Sequence, residues 1–364
     1  TPPIQLVCYN DTDIKEVEKE FEKYKTITSF TCYYSKLTEI PMIFDLNLTS
    51  LNLSGNYINI IPDTISQLKN LKELYLSKNE ISVLPPSFSK LEKLEKLFLY
   101  SNQFIDIPDC IYDLQSLKYL YIGNNNIHSI SSRISNLKNL EKLDVKFNNL
   151  TSLPFELSKL TKLKVFTANA NRIKVIGDEF GLLINLEELF LENNELKQLP
   201  NSIGHLKKLT SLFVNENELQ ELPDSIGELV NLTSIGLYHN HITKLPNTFY
   251  NLINLDELLL YHNDLTEISE SIVNFKQLTI LNISFNALKS LPENIGCLEK
   301  LKDLNLQTNQ IASLPKQIGM LKNLLNLTLE NNCITRIPSS LGYMKNLRYL
   351  NMCENFFTKL PKSF

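Results

Sequence analysis

Apolar residues recur along this chain in a frame of 23 positions. One unit reads Leu71-x-x-Leu74-x-Leu76-x-x-Asn79-x-Ile81-x-x-Leu84-Pro85, followed by Phe88 and Leu91. The alternation at Leu74 and Leu76 predicts a short strand with one buried face, because side chains alternate across a strand. Asn79 then marks a turn, since its short amide bonds backbone groups that a turning chain leaves open. The return leg is apolar at positions 11, 14, 18 and 21 of the unit and is expected to fold back as a turn or short helical piece. Pro at position 15 suits the start of such a turn, where its missing N–H costs little.

Asn79 belongs to fourteen asparagines, Asn56 through Asn355, spaced 23 residues apart without a substitution. Stacked on one another, they would form a hydrogen-bonded ladder inside the coil. Units begin at Ile27 and Leu48 and then every 23 residues to Leu347, fifteen in all. The first is only 21 residues long and carries Ser35 in place of the asparagine, as expected of an atypical end unit. Residues 1–26 read as an N-terminal cap. Ile4, Leu6 and Cys8 alternate as a strand, and Asp13 is placed to cap a helix on which Ile14, Val17, Phe21 and Tyr24 share a face. Residues 27–364 read as one elongated solenoid in which each unit touches its neighbours, with no evident C-terminal cap. A partner or a further domain is then expected to cover the last apolar face.

Segments such as LKELYLSKNEISVLP at 71–85 and LEELFLENNELKQLP at 186–200 resemble the intracellular 23-residue class of leucine-rich repeat proteins. Within that class the chain looks most like the group related to Ras-binding scaffolds. The resemblance covers residues 27–361. It implies an α/β solenoid, a leucine-rich repeat horseshoe with a parallel sheet on its concave face and short helical or irregular convex segments. It also implies a protein partner, of the small GTPase or protein phosphatase type, or attachment as a recognition arm to a larger enzyme.

Composition narrows the alternatives. Lys and Arg number 36 against 40 Asp and Glu, so no global field recruits nucleic acid or an anionic membrane. No apolar run of about 18 residues occurs, which argues against direct membrane insertion. The six cysteines do not cluster as in a secreted disulfide scaffold, and Cys8 and Cys32 are expected to be buried neighbours. Seven N-x-S/T sequons start at Asn10, Asn47, Asn52, Asn149, Asn231, Asn282 and Asn326, and glycans at Asn52 or Asn282 would cover the sheet. A reducing, cytoplasmic setting is favoured. Glycines at position 19, such as Gly204 and Gly227, suggest a tight convex turn.

Function must be written in the variable positions 3, 5, 7 and 8, expected to point from the sheet into solvent. Aromatics crowd them: Tyr119 at position 3; Tyr75, Phe98, Tyr121, Phe190 and Phe213 at position 5; Tyr100, Tyr238 and Tyr261 at position 7; Phe147 and Phe285 at position 8. They read either as an interface core or as braces between strands. Lysines such as Lys72, Lys96, Lys118, Lys142 and Lys164, tempered by Glu73, Glu95, Glu141 and Asp144, mark the earlier units as basic, or else are ordinary surface decoration. Glu188, Glu192 and Glu216, with Glu187, Glu195 and Glu218, mark the later ones as acidic, and this bipolar surface would orient a partner. His239 and His262 share position 8 in adjacent units and suggest a polar patch with pH sensitivity. A metal held by them with Asp264 is the less favoured reading, since no Cys joins them.

A regular solenoid has no deep pocket to shield a nucleophile, so neither catalytic residues nor cofactors are expected. The leading reading is a non-enzymatic recognition scaffold that binds a folded signalling protein. A sensing or autoinhibitory arm of a larger enzyme and an extracellular receptor or adhesion module stand as alternatives.

Overall fold

The computed structural model describes residues 4–9, 14–21 and 25–364. The chain divides into two compact halves, Thr1–Ile173 and Lys174–Phe364. Each half is a stack of parallel strands taken in sequence order.

In the first half, β1 (Ile4–Tyr9) pairs in parallel with β2 (Ile27–Tyr33) across the helix α1 (Ile14–Phe21). Phe21 is buried edge-on against Phe30, with ring centroids 5.2 Å apart, and Val17 beside it is half-buried. Cys8 and Cys32 face each other in register, both buried and both free thiols, as expected of buried neighbours. The expectations for Asp13, Tyr24, Asn10 and the side chains of Ile4 and Ile14 lie outside the described residues.

After β2 each repeat contributes a strand of only three residues, such as Glu73–Tyr75 in the first half and Ser211–Phe213 in the second. The middle residue is buried and the outer two are half-exposed, which is the alternation read at Leu74. Strand partners lie one repeat apart, Leu74 against Leu97 and Leu212 against Ile235, so constant repeat length fixes the register. Leucines and isoleucines at positions 1, 4, 6, 11 and 18 are nearly all fully buried, and their removal from water drives the stacking.

The asparagine ladder is formed as anticipated. Asn79 Oδ1 accepts the Ile58 N–H at 3.0 Å, while its Nδ2 donates to Leu53 O and Leu76 O, each at 3.0 Å. One side chain thus satisfies backbone groups of its own turn and of the preceding repeat. Ser35, which lacks the amide, is tied in from the other side: its N–H donates to Asn56 Oδ1 at 2.9 Å.

The return leg closes through five-residue 3-10 turns rather than α-helices. Pro62 stands at the first of these, and its carbonyl accepts the Ile65 N–H at 3.0 Å. The position-19 glycines have a reason other than turn conformation. A Cβ on Gly227 would lie 2.1 Å from the Thr248 carbonyl oxygen of the next turn, so glycine here is a matter of space. Among the described residues no helix is long and apolar enough to cross a membrane.

Candidate functional site

The strands are too short to carry all the positions assigned to the sheet face. Only positions 3 and 5 flank a buried strand residue; positions 7 and 8 lie in the turn that follows. Position 8 adopts left-handed backbone in repeat after repeat, with φ of 52° at Phe147, 51° at His239, 54° at His262 and 53° at Phe285. Those rings are therefore aimed by a turn and not by strand pleat, which corrects their placement on the sheet. Gly55, Asn124, Asn193 and Asn331 at the same position are types that accept this conformation, whereas the lysine, phenylalanines and histidines there give no sign of it.

In the first half, three rings at position 5 form a parallel stack. Tyr75 and Phe98 are 4.5 Å apart at 13°, and Phe98 and Tyr121 are 4.4 Å apart at 8°. Stacking leaves each half-buried, so Phe98 shows an edge rather than its whole face to water. Tyr75 Oη donates to Glu73 Oε2 at 3.2 Å. Burial, with Glu73 next in effect, raises the Tyr75 phenol above its ordinary value. Lys96 stands over Tyr119, Lys142 over Tyr121 and Lys146 over Tyr100, between 5.3 and 5.9 Å from the ring centres. Phe147 is exposed at its turn.

The basic character expected of these repeats is largely cancelled. Lys96 pairs with Glu73 at 2.8 Å, Lys118 with Glu95 at 2.9 Å and Lys164 with Glu141 at 2.8 Å. Each lysine sits one repeat beyond its carboxylate, so the 23-residue period itself brings them together. The surface is an ion-pair ladder, not one pole of a bipolar face.

The second half differs. Phe190 and Phe213 stack at 5.6 Å, and Tyr238 and Tyr261 at 4.4 Å. A separate stack at position 8 runs His239, His262, Phe285, with centroids 4.3 and 4.2 Å apart. Glu188 is half-buried and Glu216 exposed, and neither has an ion pair among the described residues. Glu195 and Glu218 pair at the margin with Lys174 and Lys197, at 3.6 and 4.0 Å. Glu192 and Glu216 lie close enough to Tyr238 that, after burial and Tyr261, their charge helps push its phenol up to about 12.

The two imidazoles do not form a metal site. Parallel rings direct their nitrogen lone pairs along parallel planes, where they do not converge on one ion. Asp264 is engaged elsewhere, 3.5 Å from His241 Nδ1. No group of three or more metal-ligating side chains occurs among the described residues. Burial, and then His239, holds the His262 imidazole below its ordinary pKa.

Two features escaped the sequence. Asn215, at position 7 between Glu192 and Tyr238, is only 2% exposed and its Oδ1 has no hydrogen-bond partner. Gly236 interrupts the ring row beside it. A glycine at position 5 is visible in the sequence as a departure from pattern, but the orphan oxygen is not.

Comparison with known proteins places the repeats. Leucine-rich repeat models match residues 46–104 and 299–357, a two-copy repeat model matches 92–138 and 115–155, and a leucine-rich repeat region model matches 177–293. No curated protein matches the chain. Among solved structures, a leucine-rich repeat protein of Leptospira interrogans is 36% identical, with a TM-score of 0.84, over 90% of this chain and 83% of that one. A TDR receptor is 28% identical with a TM-score of 0.81, over 98% of this chain and 69% of that one. An internalin of Listeria monocytogenes, at 23% identity and a TM-score of 0.69 over 88% of this chain and 85% of its own, shares the fold. Leucine-rich repeat proteins act in protein–protein recognition, and on its repeats, its register and its 36% identity to the Leptospira protein, this chain belongs to the leucine-rich repeat family.

Proposed function

We propose that this chain is a non-enzymatic recognition module that binds a folded protein through the ring-bearing faces of its strands and turns. The observation that carries the reading is the set of parallel ring stacks, Tyr75–Phe98–Tyr121 in the first half and Phe190–Phe213 and Tyr238–Tyr261 in the second. Their mutual burial fixes the rings before a partner arrives, which lowers the ordering cost of binding. Their open edges offer the aromatic contact that dominates interface energetics. The site comprises Tyr75, Phe98, Tyr100, Tyr119, Tyr121 and Phe147 in the first half. In the second it comprises Glu188, Phe190, Glu192, Phe213, Glu216, Tyr238, His239, Tyr261 and His262.

The resemblance to Ras-group scaffolds suggests a small GTPase or protein phosphatase as the partner class. Six free thiols, with Cys333 and Cys353 exposed, favour a reducing, cytoplasmic setting. The test treats each half separately. Phe98 and Tyr121, or Phe190 and Phe213, are replaced by serine, and a partner captured by the native chain is offered to each variant. The expected result is an unchanged circular dichroism spectrum with at least tenfold weaker binding for one pair or both. Undiminished binding by both variants would overturn the reading.

A further inference from the structure

Three successive strands of the second half, Ile280–Asn282, Asp303–Asn305 and Asn326–Thr328, carry no ring on their outer face. Their middle leucines are buried, and the six flanking side chains are half-exposed. In register, Ile280, Asp303 and Asn326 stand in one row and Asn282, Asn305 and Thr328 in the next. These side chains line an open hollow of about 300 Å³, at the lower end of the size range of small-molecule sites.

The polar groups of the hollow are held in place by the protein and keep bonding capacity to spare. Asn282 Oδ1 accepts the Ser284 N–H at 3.1 Å and the Ser284 hydroxyl at 2.7 Å, and Asn305 Oδ1 accepts the Gln307 N–H at 3.0 Å. Those bonds fix both amide planes. The two Nδ2 groups have no partner among the described residues and are open to solvent. Asn326 Nδ2 donates to Asp303 Oδ1, which orients that pair. Asp303 Oδ2, Asn326 Oδ1 and Thr328 Oγ1 stay uncommitted and open to solvent. Two fixed donors thus stand beside two fixed acceptors and a hydroxyl, with Ile280 as an apolar side.

This set disfavours other kinds of ligand. Asp303 is the one carboxylate lining the hollow, and no group of three metal-ligating side chains occurs among the described residues, so a hard cation finds too few ligands. The same carboxylate repels an anion. Aromatic rings and arginine, the usual anchors of a protein interface, do not line it. A hydroxyl both donates and accepts, so a polyhydroxylated ligand answers every free group, and hydroxyls donating to a carboxylate make the stronger kind of hydrogen bond.

We propose that the hollow binds a pyranose ring of a saccharide. Its hydroxyls donate to Asp303 and Asn326 and accept from the Nδ2 groups of Asn282 and Asn305, while a C–H face of the ring lies against Ile280. The fixed amide planes lower the ordering cost of binding. A free saccharide and a glycan carried by another protein present this same chemistry. The assignment goes beyond the ring-stack reading and stands independently of it.

The full chain, 15N-labelled, is titrated with the methyl pyranosides of glucose, mannose and galactose, which differ in the orientation of the hydroxyls at C2 and C4. Tetrahydropyran-2-methanol, which keeps the ring but has no ring hydroxyl, is the control. The Asn282 and Asn305 side-chain signals are expected to shift saturably with at least one pyranoside and not with the control. Asp303→Ser and Asn305→Thr are each expected to weaken that binding about tenfold, the effect of losing a hydrogen bond to a charged or fixed polar group. Ser211 and Thr328 already occupy the equivalent positions in other repeats, so both variants keep the fold. Glu73→Ser, outside the hollow, leaves binding unchanged. A glycoprotein bearing the bound sugar, captured before but not after enzymatic deglycosylation, would identify a protein-borne glycan as the source. Failure to capture it in either state, with the pyranoside still bound, would identify free saccharide. No saturable shift with any of the pyranosides, an equal shift with the control, or native affinity in Asp303→Ser would overturn the proposal.

Discussion

Tyr250 Oη accepts the backbone N–H of Ser269 at 3.0 Å, and the two residues replace the glycine and proline that other repeats carry at those positions. The same exchange recurs in the first half, where Tyr112 Oη accepts the Ser131 N–H at 3.2 Å. Proline has no N–H to satisfy; serine restores one, and the tyrosine of the preceding repeat supplies its acceptor. Each serine then caps its own 3-10 turn, Ser269 Oγ accepting the Ser271 N–H and Ser131 Oγ the Arg133 N–H, both at 3.2 Å.

Tyr250→Phe is therefore expected to destabilise the chain by about 1 kcal/mol, the usual cost of orphaning a partly buried donor. Ser269 already holds φ −67° and ψ 150°, which proline adopts without strain. Ser269→Pro in the Tyr250→Phe background is expected to recover most of the loss. Urea denaturation of the two single variants and the double variant measures the coupling; additive effects would show that the hydrogen bond contributes nothing.

The asparagine ladder makes a larger prediction. Asn240 Oδ1 accepts the Leu219 N–H at 3.0 Å, and its Nδ2 donates to Val214 O and Leu237 O at 3.0 Å. Asn240→Ala strands three buried backbone groups, and at about 1 kcal/mol or more apiece the loss is expected to reach about 3 kcal/mol. In a stacked architecture that loss is felt by the neighbouring repeats first. Amide hydrogen exchange should accelerate most at Leu219, Leu237 and their flanks, and protection lost evenly along the chain would contradict this.

The frame was legible because period, strand and ladder are written in side-chain type. Leu74, Asn79 and Pro85 each announce their job through polarity, hydrogen-bonding capacity or a fixed φ. The faces were less legible. The lysines at 96, 118 and 164 count as basic residues along the chain, yet their charge is cancelled by glutamates that only the stacking places within 3 Å. For another reason, the left-handed turn at position 8 was signalled only in part, by Gly55 and by Asn124, Asn193 and Asn331. Its conformation is imposed by backbone bonds between repeats, such as Phe147 N–H to Asn169 O at 3.0 Å, and so tolerates residues that would not choose it.

Asp144 offers a test by charge. It is 5% exposed, and its Oδ1 accepts the Lys146 N–H at 3.2 Å. Burial raises its pKa above the ordinary 3.8, with Lys146 opposing the shift. A raised carboxylate pKa means that the folded chain holds the proton more tightly than the unfolded one. Ionisation then costs stability, a cost absent below the ordinary pKa and complete above the raised one. Asn52, Asn282 and Asn305 occupy the same position and make the same hydrogen bond without charge. Asp144→Asn is expected to stabilise the chain at pH 7 by about 1 kcal/mol, a typical single-substitution effect, with the gain disappearing as pH falls below 4. Denaturation midpoints at pH 7 and pH 3.5 check both halves of the claim.

Phe147 holds a bulky ring at φ 52°, a conformation that costs an ordinary residue about 1–2 kcal/mol. Asn124, Asn193 and Asn331 fill the equivalent position elsewhere, and asparagine tolerates left-handed backbone. Phe147→Asn is expected to raise the unfolding free energy by up to about 1 kcal/mol. If the exposed ring serves recognition, the same variant should bind its partner less tightly, so that stability and affinity move in opposite directions.

The histidine stack carries the pH prediction. His239 and His262 lie face to face with centroids 4.3 Å apart, and His262 packs on Phe285 at 4.2 Å. Tyr238 and Tyr261 lie edge-on to the pair, both with raised phenol pKa values and so neutral near pH 6. Burial and His239 lower the His262 pKa below 6.5, so the folded chain binds its proton less readily than the unfolded one. The stability this group contributes is complete above the ordinary pKa and is lost as pH falls through the window beneath it. In His239→Asn the repulsion from a second imidazolium disappears while burial by Phe285 remains. The His262 Cε1–H resonance should then titrate at higher pH than in the native chain, though still below 6.5, and the stability lost between pH 7 and pH 5 should shrink. An unchanged His262 titration would show that the two rings are electrostatically independent despite their contact.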